Sequence, residues 1–245
     1  MKHHIFEKDY SADYMRWARI FDEIKDHKIS GNNDLILDKI QDDIEKNNDS
    51  ALAYFFCCEF NYKHYKMQKV IVQSKQPKYA LVFAQNIKNA DVQTLQSVVI
   101  ESLSISENNI KYVCRFSCFV KNADKNKIEA MVLLEGKAKY AHMLVKHVPG
   151  TNIKKFKKII IDSGKPRYIF ELAKHLTNPK EIRKIQQLII DSKSTTYIKL
   201  FAKKFKSANI KKLEEAILET GNMEEIKKFA KSVKKSKMRN FSVLF

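Results

Sequence analysis

Glycine occurs 5 times and proline 4 times in a chain of 245 residues. Sandwiches, barrels and doubly wound sheets need turn glycines far more often, so helix is the remaining economical way to fold this chain. Cysteine occurs 4 times, in no regular framework, and Met1-Lys2-His3-His4 leads straight into polar residues with no secretory signal. These two features predict a reducing, intracellular compartment, cytoplasm or nucleus. No apolar run reaches the ~18 residues of a membrane span, so no membrane partner is expected. Enzyme signatures are missing too: there is no His-Glu-x-x-His, no Gly-x-Ser-x-Gly and no readable carboxylate pair. Asp162-Ser163-Gly164-Lys165 lacks the upstream glycine of a phosphate loop. The sequence is therefore read as non-enzymatic, with no cofactor, no metal and no small-molecule substrate.

Charge is what the chain has in excess. It is 44% hydrophobic and 30% charged, enough to bury a core, and Lys+Arg 46 against Asp+Glu 28 leaves a net charge of +18. The excess is polarised. Residues 1–66 hold 10 basic and 13 acidic side chains, whereas residues 136–245 hold 27 and 9. Such a field attracts polyanions; it speaks to partners and not to fold.

Four segments repeat one pattern around Tyr79, Tyr168, Tyr197 and Glu225, as in Ile-Ile-Asp-Ser-Gly-Lys-Pro-Arg-Tyr168-Ile-Phe-Glu-Leu-Ala173. Weaker copies centre on Leu52, Tyr112 and Tyr140. The anchors 52, 79, 112, 140, 168, 197 and 225 are separated by 27, 33, 28, 28, 29 and 28 residues, the long interval marking an insertion of about five residues within 104–110. Each unit reads as two short helices. Phe156, Ile159, Ile160 and Ile161 form the stripe of one, Ser163-Gly164 stops it, and Pro166 opens the next with Tyr168, Ile169, Leu172, Ala173 and Leu176 on one face. A small residue follows the anchor by five (Cys57, Ala84, Ser117, Ala173, Ala202, Ala230; Val145 is the exception). Asp91, Asp124, Asn152 and Asn209 are the expected N-caps, and Asn178 with Glu181 reads as a capping box.

One such unit cannot bury its apolar face alone, so units stack. The prediction is an all-α, right-handed α-solenoid, a superhelix of about seven two-helix repeats over residues 36–233. Residues 1–35 supply an N-terminal capping helix over 11–28 with Tyr14, Trp17, Phe21 and Ile24 on one face. Residues 234–245 form a basic tail with an apolar end, a flexible arm or a docked cap. The pattern Ile-x-x-Ser-Gly-x-x-x-Tyr-x-x-x-Phe-Ala resembles a short two-helix repeat, about 28 residues long, of proteins from giant DNA viruses and some phages. That resemblance covers about 200 residues. It implies a HEAT/TPR-like superhelix in a host cytoplasm, nucleus or virion, and implies little about activity.

Equivalent positions of a solenoid align, so a periodic lysine becomes a ladder. The residue after the small position is Lys146, Lys174, Lys203 and Lys231, followed by His147, His175, Lys204 and Ser232. A second column, before the anchor, is Lys78, Lys111, Lys139 and Arg167. First helices add Lys154, Lys155, Lys157, Lys158, Arg183, Lys184, Lys211 and Lys212. With roughly 9–10 Å between packed helices, four rungs span on the order of 30 Å, close to one turn of duplex DNA, ~34 Å. The expected function is nucleic-acid binding through phosphates, DNA or RNA, at Lys139, Lys146, His147, Arg167, Lys174, His175, Lys203, Lys204 and Lys231. Lysines offer point charges and not bidentate base contacts, so little sequence specificity is expected. The alternative is a protein-interaction scaffold using the concave face, with the acidic Asp42, Asp43 and Asp49 toward a basic partner. The cysteines read as packing residues and not as zinc ligands, since Cys57/Cys58 and Cys114/Cys118 lie two repeats apart. His142, His147 and His175 are likewise not read as metal ligands.

Overall fold

The computed structural model describes Phe21, residues 33–60 and 62–233, Ser236 and Met238. Among these residues fourteen α-helices are delimited and no strand occurs, so the chain is all-α there. It divides into two compact units, Met1–Met131 and Val132–Phe245. The first holds α1 (Asn33–Asn47), α2 (Ser50–Phe60), α3 (His64–Ser74), α4 (Pro77–Asn86), α5 (Val92–Glu101) and α6 (Ile110–Phe119). The second holds α8 (Ala138–His147), α9 (Ile153–Asp162), α10 (Pro166–Ala173), α11 (Pro179–Asp191), α12 (Thr195–Lys204), α13 (Ile210–Leu218) and α14 (Met223–Ser232). The boundary falls within α7 (Lys125–Glu135).

Every anchor lies on an even-numbered helix, Leu52 on α2 through Glu225 on α14. Four residues further on, one turn along the same face, stand Phe56, Phe83, Phe116, Leu144, Leu172, Phe201 and Phe229. All seven are 0% exposed. Each fully buried side chain of this size contributes roughly 1.5–3 kcal/mol by leaving water. In the first unit α2 packs on α4 and α4 on α6; in the second α8 packs on α10, α10 on α12 and α12 on α14. The small residues, buried at Cys57, Ser117, Ala173, Ala202 and Ala230, lie beside these contacts.

Helix ends follow local chemistry. Pro77, Pro166 and Pro179 sit in first turns, where a missing N–H costs nothing. Gly164 leaves α9 with φ +63°, a left-handed conformation that its lack of Cβ permits. The caps at Asp91, Asp124, Asn178 and Asn209 accept backbone N–H groups of their own first turns. Two cap expectations differ. Asn152 makes no side-chain cap to α9. Glu181 does not close a capping box; its carboxylate accepts from Lys157 Nζ across to α9 instead. The insertion is ordered as two 3₁₀ turns, Ser102–Ser104 and Glu107–Asn109, tied by Asn109 Nδ2 donating to Ser102 O at 2.9 Å.

Phe21 is helical, 2% exposed, and meets the Phe56 and Phe60 rings edge-on at centroid distances of 6.4 and 5.4 Å. The rest of the expected capping helix lies outside the described residues, as does the tail apart from Ser236 and Met238. Both of those are buried, and Ser236 Oγ donates to Glu214 Oε1 at 2.6 Å.

Candidate nucleic-acid interface

The lysine ladder falls on the last turns of α8, α10, α12 and α14. Lys146 and His147 end α8, Lys203 and Lys204 end α12, and Lys231 lies in the last turn of α14. Lys174 is the C-cap of α10, with His175 next to it. All of these side chains are exposed. Because these helices pack one on the next, residues at one register follow one another along the second unit. The C-termini of α8 and α10 meet in a depression of about 250 Å³, lined in part by Lys146, His147, Gly150, Thr151 and His175. Lys146, His147 and His175 share its wall with the apolar Val145, Val148, Pro149 and Ile153.

The rungs are not electrostatically equal. Lys174 Nζ lies 2.6 Å from Glu171 Oε1 and 4.9 Å from the Phe170 ring centroid, so its charge is partly spent. The same lysine holds the Glu171 carboxyl below its ordinary value, against a burial that raises it. Lys146, Lys203, Lys204 and Lys231 make no ion pair among the described residues. The second column is exposed at Lys139 and Arg167, one residue before Tyr140 and Tyr168. Lys139 Nζ stands 5.7 Å from the Tyr140 ring centroid. The tyrosines are not free platforms for bases: His142 stacks on Tyr168 at 4.7 Å, and Lys165 Nζ lies 5.6 Å from the same ring centroid. Contact with a polyanion here runs through cations.

His142 parts company with the other two histidines. It is 8% exposed, whereas His147 and His175 are at the surface. The acidic candidates of the first unit also divide. Asp42 and Asp43 are exposed, but Asp49 caps α2, accepting from Leu52 N at 3.0 Å. Cys57 and Cys114 are buried, and burial drives their thiols far above the ordinary value; Cys58 and Cys118 are pushed up to about 11. Such thiols stay protonated at neutral pH. Among the described residues no group of three His, Cys, Asp or Glu gathers in a metal-binding arrangement. No helix there is long and apolar enough to cross a membrane.

Sequence reasoning missed a row of buried or half-buried polar side chains. Gln96 Nε2 donates to Asp124 O at 2.9 Å, and its Oε1 accepts from Asp124 N at 2.7 Å. Gln186 does the same to Asn209, at 3.0 and 2.8 Å. Gln68 Oε1 accepts from Asp91 N, and Gln41 Nε2 donates to Tyr62 O. Each reaches the cap region of the next odd-numbered helix, and Glu214 reaches Ser236 in the same way. The available signal was a lone glutamine in an apolar stripe, as in Ile185-Gln186.

Fold and site together define an all-helical protein with a strongly basic second unit. No protein-family model, no curated protein and no solved structure matches the chain.

Proposed function

We propose that the chain is a non-enzymatic α-solenoid of about seven two-helix repeats whose residues 136–245 bind nucleic acid through its phosphates. The neighbour-on-neighbour packing of α8, α10, α12 and α14, and the same order in α2, α4 and α6, support the solenoid. The observation that carries the binding reading is the set Lys146, Lys203, Lys204 and Lys231. They are exposed and without ion pairs among the described residues; Lys146, Lys203 and Lys231 share one register on α8, α12 and α14, with Lys174 of α10 between the first two and Lys204 one position on. Lys203, Lys204 and Lys231 keep their charge available to a polyanion, whereas Lys146 shares part of its field with Glu171. Each phosphate contact releases condensed counterions, so affinity falls steeply with salt. Only Arg167, Arg183 and Arg239 occur in residues 136–245, and arginine is the side chain that reads guanine bidentately, so the binding discriminates little between sequences.

The test is the variant Lys146→Gln, Lys174→Gln, Lys203→Gln, Lys231→Gln, titrated against duplex DNA over a salt series. Its Tm falls modestly, because Lys146, Lys203 and Lys231 stand at helix C-termini, where an exposed cation adds about 0.3–1 kcal/mol each. The slope of log K against log[salt] becomes shallower by roughly 0.9 for each lysine that touches a phosphate, less at position 174 where Glu171 already takes part of the charge. Wild-type affinity and slope in the variant would return the chain to the protein-scaffold reading.

A further inference from the structure

Charge in the second unit is sorted by helix end. Lys154 and Lys155 are the second and third residues of α9, Lys180 the second of α11, and Lys211 and Lys212 the second and third of α13. All five are exposed. The far ends of the same helices carry Asp162, Asp191 and Glu219, also exposed. A helix favours anions at its N-terminus and cations at its C-terminus, each worth about 0.3–1 kcal/mol at the surface. α9 and α13 carry their charge the other way round at both ends, whereas α11 sets Glu181 beside Lys180 in its first turn. The lysines ending α8, α12 and α14 follow the dipole, which gives them a part in helix stability. The lysines opening α9, α11 and α13 oppose it, and the dipole gives them none. Nor do they serve as caps, because the first-turn N–H groups of α11 and α13 bond to Asn178 and Asn209.

Connectivity brings the two sets of cations together. Five residues separate α8 from α9, five separate α10 from α11, and five separate α12 from α13. Lys146 and His147 therefore stand just before Lys154 and Lys155, Lys174 and His175 before Lys180, and Lys203 and Lys204 before Lys211 and Lys212. The depression holding Lys146, His147 and His175 shows two of these loop ends side by side. Carboxylates near this edge are engaged: Glu171 with Lys174, Glu181 with Lys157, Glu215 with Lys211 at 3.9 Å, and Glu214 buried. The other turns, between α9 and α10, α11 and α12, and α13 and α14, hold Asp162, Asp191, Glu219, Glu224 and Glu225.

We infer that this loop edge of the second unit is the surface that grips a nucleic-acid phosphate backbone, with Lys154, Lys155, Lys180, Lys211 and Lys212 contacting phosphates beside the ladder lysines. The inference rests on the nucleic-acid reading and narrows it. Cations held against the dipole cost helix stability, and binding a polyanion offsets that cost.

The variant Lys154→Gln, Lys155→Gln, Lys211→Gln, Lys212→Gln is titrated against a 30-base-pair DNA duplex and an RNA duplex of the same sequence. Binding weakens by on the order of tenfold or more, and the DNA salt slope becomes shallower by roughly 0.9 per lysine. The Tm rises in the same variant, because the dipole conflict is relieved. The control Lys137→Gln, Lys165→Gln, Lys193→Gln, on the opposite turns, leaves the slope unchanged. If wild-type protein binds and the ladder variant loses affinity while this variant keeps it, the edge assignment is wrong and the nucleic-acid reading stands. If the variant loses both affinity and thermal stability, the lysines are structural and the assignment fails. If wild-type protein binds neither duplex, both readings fail.

Discussion

His142 lies two residues past its anchor on α8, where the equivalent residues are Tyr54, Leu81, Cys114, Phe170, Lys199 and Lys227. Its Nε2 is buried without a hydrogen-bond partner, and the ring stacks on Tyr168 of α10. Burial lowers its pKa from 6.5 to about 4; Glu171 opposes the shift, while Lys146, Arg167 and His147 add to it. The sign follows directly. Between pH 6.5 and about 4 the unfolded chain takes up a proton that the folded chain refuses, so stability falls as pH falls through that window. His142→Phe, which copies Phe170, removes both the titration and the unsatisfied nitrogen. Its Tm at pH 7 rises by roughly 2–4 °C for each kcal/mol recovered, and the gain over wild type widens at pH 5. An unchanged pH dependence of Tm, read by circular dichroism, would remove His142 as the cause. The register in sequence already placed His147 and His175 two past the small position, beside the surface lysines. It left His142 open, because the same position holds the buried Phe170 in one unit and the exposed Lys227 in another.

At the scale of the helix, the anchors and most of the caps were readable because each follows a local rule. Pro166 at a first turn, Gly164 at a stop and Asn209 at a cap need only their own neighbours. Interactions between helices were not readable. Gln186 bonds to backbone 23 residues on, and a backbone N–H or C=O leaves no mark in sequence. Glu181 was expected to cap its own helix, yet Lys157 claims it from α9. The Lys174–Glu171 pair has ordinary i,i+3 helix spacing, and attention to the lysine column alone passed over its partner. The glutamine contact is also the most testable element of the packing. Gln186 is 3% exposed and satisfies both backbone groups of Asn209. Gln186→Ala removes both bonds, but Asn209 is exposed and its carbonyl keeps Leu213 N at 3.3 Å, so the expected loss is roughly 0.5–1.5 kcal/mol. Gln187→Ala, exposed on the same helix, stays within about 0.5 kcal/mol of wild type. Equal losses in urea unfolding of the two variants would show that the clamp carries no special weight.

For the whole molecule, the decisive property is that helices pack chiefly on their neighbours in sequence. In the second unit α13 packs on α12 and α14, and α12 on α10, α11, α13 and α14. Stability is then close to a sum of local terms and neighbour interfaces, and the chain tolerates loss of an end better than loss of a middle. Removing residues 208–245 takes away α13 and α14 together. The groups left behind are few. Gln186 loses Asn209, but at a new chain end water reaches its amide, so the loss is smaller than for Gln186→Ala in the full chain. Lys199 loses its 3.2 Å partner Glu225 and is freed at the surface. The shortened chain is therefore expected to keep helical circular dichroism in proportion to its length, and to unfold cooperatively at a lower Tm. It loses Lys211, Lys212 and Lys231 while keeping Lys146, Lys154, Lys155 and Lys174, so nucleic-acid affinity and salt slope decline without vanishing. Collapse of the helical signal throughout the shortened chain would mean that distant residues share one core. The register argument that aligns the lysines along one edge would then lose its basis.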